Sequence, residues 1–122
     1  MKIKTLATLA LLMGSSVSMA ECMMPEAPTL PQGATSTMED MIAGQSTVKK
    51  FQADNIAYMG CLEKSFNEAE AASKKGTKED KAAATAAYDN AVNEYNNAVS
   101  KEEEVAGQFN TEIREYKAAN PS

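Results

Sequence analysis

Two long stretches of this chain place apolar residues at helical spacing, and one glycine divides them. In the first, Met41, Val48, Phe51, Tyr58, Leu62 and Ala69 recur at steps of three, four or seven, with Met59 and Phe66 beside them. Gly44 and Gly60 weaken this pattern without breaking it. Ser36 with Glu39 has the form of a capping box, and Thr37 with Asp40 offers the same box one residue later. Lys74, Lys75 and Gly76 read as a closing turn, with cations before a C-terminal glycine. The pattern predicts a first helix over about 37–75.

The second stretch opens with Thr77 as an N-cap and with Glu79 and Asp80 in the first turn. Tyr88, Val92, Tyr95, Val99, Ala106, Phe109, Ile113 and Tyr116 then form a heptad seam, with Glu102 in one of its slots. Ala84, Ala91, Ala98 and Val105 make a flanking row seven residues apart. This helix should run over about 77–118, since Pro121 follows.

A short turn between helices each roughly 60 Å long gives an all-α fold, a long antiparallel two-helix hairpin. Pairing about a two-residue turn sets Glu102 against Lys49 and Lys50, and Asn55 near Asn96 and Asn97. Each polar layer has two readings: a register-setting contact, or a solvated pair on a frayed seam.

The segment before the helices, residues 21–35, is different in kind. Pro25, Pro28 and Pro31 recur every third residue, the period of polyproline II. They can share one face of an extended strap, the alternative being an unstructured leader. Ahead of it, residues 1–20 read as a secretory signal peptide. Lys2 and Lys4 supply charge, residues 5–13 are apolar, and Ser18 and Ala20 flank a cleavage site. The apolar run falls short of the ~20 residues that a membrane span needs. Glu21 stands before Cys22 where a lipidation signal wants a small residue. Cleavage after Ala20 leaves a mature chain with no membrane insertion, and its short lysine-containing signal points to the bacterial periplasm.

Compartment gives the two cysteines their meaning. Cys22 and Cys61 are the only ones in the chain, and export exposes them to oxidising conditions. From the start of the first helix, Cys61 lies about 37 Å along the axis at helical rise. Cys22 lies 14 residues before Ser36, which reach about 43 Å in polyproline II. The strap is long enough to run back along the first helix and bond Cys22 to Cys61. A bond between chains, or free thiols, are the alternatives.

Composition narrows the chemistry. There is no histidine, so histidine bases, histidine-dependent triads and most zinc sites are absent. No Gly-rich phosphate loop and no CxxC occur. The run Glu102-Glu103-Glu104 offers too few converging ligands for a hard cation. Met23 and Met24 beside Cys22, with Met38, Met41 and Met59, raise a Cu(I) reading, but soft-metal segments repeat their ligands at short spacing and this chain does not. No catalytic residues, metal site or cofactor are expected, and the chain is not read as an enzyme. Removing two signal-peptide lysines leaves ten basic against seventeen acidic residues, a net charge of −7, which disfavours nucleic acid as a partner.

Cys22-Met23-Met24-Pro25, Pro28, Pro31-Gln32-Gly33, Met41, Val48-Lys49, Phe51, Tyr58 and Cys61-Leu62-Glu63 together resemble a group of small exported proteins of proteobacteria. The resemblance covers about residues 22–63. It implies the same compartment and layout, and carries no activity with it.

The expectation is therefore a non-enzymatic periplasmic helical protein that binds other proteins or serves as a structural element. A periplasmic chaperone or envelope-stress factor is the alternative, and a Cu(I)-binding protein a more distant one. Met59, Phe66, Ala84, Ala91, Ala98 and Val105 are the expected interaction surface. Covering them with a second copy would make a homodimeric four-helix bundle; the strap would compete for the same surface.

Overall fold

The computed structural model describes residues 21–122, so the signal-peptide reading of residues 1–20 lies outside the described residues. Two helices and no strand occur among them: α1 spans Met38–Ala72 and α2 spans Lys78–Ala119. At 1.5 Å per residue they are about 52 and 63 Å long.

Both helices start by the same device. Thr37 accepts from the Asp40 N–H at 3.1 Å while the Asp40 carboxylate accepts from the Thr37 N–H at 3.0 Å. Thr77 and Asp80 repeat this at the head of α2. Ser36 and Glu39 do not form the box. The Ser36 hydroxyl instead donates to the Gln32 carbonyl at 2.6 Å, closing the turn that leads into α1. Two orphan N–H groups at each helix start are thereby satisfied without solvent.

The expected end of α1 at Lys75 is three residues too late. The Ser73 N–H bonds the Ala69 carbonyl and the Ser73 hydroxyl takes up that of Glu70, so the last helical residue is Ala72. Lys74 and Lys75 belong to the connection, where Gly76 adopts φ +88°, a left-handed conformation that glycine alone takes without strain. The connection is thus Ser73–Thr77, longer than a two-residue turn. At the far end, Asn120 caps α2 with its N–H and its side-chain amide both on the Tyr116 carbonyl.

The helices pack along their lengths in two apolar clusters. Met41, Val48 and Phe51 of α1 meet Val105 and Phe109 of α2, with Leu30, Ile113 and Tyr116 against them. Tyr58 and Leu62 meet Ala98, with Cys22, Met59 and Tyr95 alongside. Towards the connection, Phe66 stands edge-on to both Tyr88 and Tyr95, with ring centroids 6.0 and 5.9 Å away. Early α1 residues therefore meet late α2 residues, and late α1 residues meet early ones.

The face that α2 turns to α1 combines both rows read from the sequence: Tyr88, Tyr95, Phe109, Ile113 and Tyr116 of the seam pack on α1, and Ala98 and Val105 of the flanking row join them. Ala91, Ala98, Val105 and Phe109 are buried, whereas Val99 is 37% exposed. Ala98 leaves room for Tyr58 and Leu62 opposite it, whereas Phe51 meets the larger Val105 and Phe109. The expected contact between Glu102 and Lys49 or Lys50 is not made. The Glu102 carboxylate accepts from Asn55 at 3.5 Å, and Lys50 pairs with Asp54 at 2.6 Å. Asn55 itself reaches the Ala98 carbonyl rather than Asn96 or Asn97.

Candidate interaction surface

Residues 21–32 carry neither helix nor strand. Their burial is periodic: Cys22, Pro25, Pro28 and Pro31 are half-buried, as is Leu30, while Met23, Met24, Glu26, Ala27 and Thr29 are exposed. Cys22 is bonded to Cys61, with the Cα atoms 5.6 Å apart. A disulfide sulfur has no proton, so the Ser65 hydroxyl is the donor in its 3.7 Å contact with Cys22 Sγ. At its other end the segment is set by two glycines. Pro31 lies against Gly44, where a Cβ would come within 2.7 Å of the proline ring. Gly33 is buried on α2, and its N–H donates to the Glu112 carboxylate at 2.6 Å.

The segment therefore touches both helices, rather than following α1 alone. Between its two ends runs an open groove of about 550 Å³, walled by Met24–Ala27 on one side and by Phe51, Asn55, Tyr58, Asn97 and Glu104 on the others. Burial pushes the pKa of the Tyr58 hydroxyl above its ordinary 10.0, and the charge of Glu94 adds to the shift. Among the described residues, no three His, Cys, Asp or Glu side chains gather as a metal-binding group. No helix there is long and apolar enough to cross a membrane.

Of the residues expected to form an uncovered surface, Ala91, Ala98 and Val105 are instead buried, because they are the small row on which α1 packs. Met59, Phe66 and Ala84 are half-buried. The apolar side chains that do face solvent are others: Met23 at 87%, Met24 at 76%, Ile56 at 61%, Met38 at 58% and Ile42 at 56%. A signal for the isoleucines was present in the chain. Ile42 and Ile56 lie outside the row from Met41 to Ala69, so a helix packed by that row leaves them out. Met38 and Ile42 line a second groove, of about 740 Å³, with Ile113 and Tyr116 at the ends of the two helices.

Comparison with known proteins found no matching family model, no matching curated protein and no matching solved structure.

Proposed function

We propose that this is an exported, non-enzymatic protein that works by binding other proteins. Its scaffold is an antiparallel two-helix hairpin held by a proline-spaced strap, and its compartment is the periplasm. The observation that carries the binding role is the placement of large apolar side chains on the outside of an acidic helix pair. Ile56, Ile42 and Met38 face solvent on α1 although the seam beside them is filled. The Cys22–Cys61 bond supports the oxidising compartment, and the charged-to-apolar layout of residues 1–20 supports export. The pairing of early α1 with late α2 supports the hairpin, and the three-residue burial period of Cys22, Pro25, Pro28 and Pro31 supports the strap.

The test is photo-crosslinking in the exporting cell. A photoreactive residue at Ile42 or at Ile56 should trap discrete protein adducts, and one at the exposed polar position Asn110 should not. Equal trapping at all three positions, or none at either isoleucine, would overturn the binding role.

A further inference from the structure

The solvent side of α1 carries a facet that nothing inside the molecule accounts for. Ile56 is at its centre, with exposed Ala53 three residues before it and exposed Gly60 four after it as neighbours on the helix surface, and exposed Ala57 alongside, four residues from Ala53 and three from Gly60. Met23 and Met24 stand beside Ala57 and Cys61 and extend the apolar area along one edge. Gly60 lies in this facet; like Gly107 on α2, it is a helical glycine with open space around it. A Cβ there would meet nothing within 4 Å, so the fold does not require glycine. An exposed glycine inside a helix costs about 1 kcal/mol relative to alanine. A backbone left bare on the outer face allows another chain to come close.

The charges flanking the facet say which chain. Lys49 lies seven residues before Ile56 and Glu63 seven after it, each two helical turns away. Both are exposed, and neither joins the ion pairs found among the described residues, Lys50–Asp54, Glu70–Lys74 and Lys101–Glu104. A surface that pairs with itself about a two-fold axis must be self-complementary: what lies on one side of the axis must suit what lies on the other. With the axis at Ile56 and the two α1 helices antiparallel, Lys49 of each copy meets Glu63 of the other, and the two isoleucines meet at the centre. A different partner would give no reason for opposite charges at equal distances.

We propose that the outer face of α1 is a two-fold interface between two copies of this chain, centred on Ile56. The proposal rests on the protein-binding reading above and names the partner at this face. A single helix-on-helix contact buries an area near the lower limit for a stable complex, so the dimer is expected to be weak and reversible.

Sedimentation equilibrium of the oxidised mature chain, from about 1 µM to 1 mM, tests it. The wild type should show a monomer–dimer equilibrium, and Ile56→Glu should be monomeric throughout. Lys49→Glu and Glu63→Lys should each weaken association roughly five- to tenfold, and the two together should recover it. All these side chains are exposed, so thermal unfolding by circular dichroism should confirm that each variant is folded. A monomeric wild type at 1 mM, an Ile56→Glu dimer, or a double variant no better than either single one would overturn the interface. If the wild type is monomeric while a crosslinker at Ile56 still traps other proteins, the second copy is wrong and the protein-binding role stands. If both fail, both fall.

Discussion

Asn55 on α1 donates its side-chain amide to the main-chain carbonyl of Ala98 on α2 at 3.0 Å, and it is only 2% exposed. It sits between the two apolar clusters. Its second contact is the Glu102 carboxylate at 3.5 Å, so its donor capacity is used towards a single partner helix. A buried amide in this position ties one α1 residue to one α2 residue, because sliding by a turn would leave it unpaired in an apolar seam. Asn55→Ala should cost about 1–3 kcal/mol. Asn55→Asp should cost more, since a carboxylate would face a carbonyl oxygen and Glu102 with no donor between them. Urea unfolding of the oxidised protein measures both, and Asp no worse than Ala would refute the donor role.

Gly33 and Gly60 should respond to alanine in opposite directions. At Gly33 a Cβ would fall on the Glu112 carbonyl oxygen and 2.8 Å from the Tyr116 nitrogen, both main-chain atoms of a helix that cannot yield. Gly33→Ala should therefore lift the segment off α2, break the bond to Glu112 and cost about 1–3 kcal/mol. Gly60→Ala has open space and gains helix propensity, so it should stabilise by about 0.5–1 kcal/mol. Thermal melts of the two variants side by side decide the matter; a shared sign would contradict the contrast.

How much of this was legible depends on the distance over which each residue's role is set. The helix starts at Thr37 and Thr77 are local, and so they could be read from four-residue patterns, with only the choice between Ser36 and Thr37 left open. The Cys22–Cys61 bond was legible as a reach, because proline spacing and helical rise both convert residue counts into lengths. The share of each α2 row in the packing was not. Both the tyrosine-containing row and the alanine row are apolar at seven-residue spacing, and α1 packs on members of both, Phe109 and Tyr95 from one and Ala98 and Val105 from the other, a division set by side chains on the opposite helix. Gly33 was opaque for the same reason: its need arises from Glu112, 79 residues away. The outer facet at Ile56 becomes visible only once the seam has been assigned.

The disulfide closes a loop spanning 39 residues, and its loss should be felt mainly through the freedom it restores to the unfolded chain. The chain-entropy argument gives about 4 kcal/mol for such a loop, as an upper figure. Replacing both Cys22 and Cys61 by serine should lower the melting temperature by roughly 10 °C or more. The N-terminal segment should then be cut by protease first, because the disulfide and the Gly33–Glu112 bond hold its two ends. Limited proteolysis with mass spectrometry reads the order of cleavage. A serine variant cut first within α2 would show that the segment is held by its apolar contacts instead.

Acid should loosen the molecule from its helix starts. The backbone N–H of Thr37, and then its side chain, hold the Asp40 pKa below the ordinary 3.8, and Thr77 does the same for Asp80. In the unfolded chain both carboxylates take up protons at higher pH than in the folded one. The stabilisation is therefore fully present above the ordinary carboxylate range and is lost as the pH falls through the lowered folded values. Both groups are solvent-exposed, so the effect is a modest slope rather than a sharp transition. Helicity at 222 nm should fall between about pH 4 and pH 2. Asp40→Asn with Asp80→Asn should flatten that part of the curve, since the amide keeps the acceptor oxygen but does not titrate. A double variant with the wild-type acid slope would mean that other carboxylates carry the pH dependence.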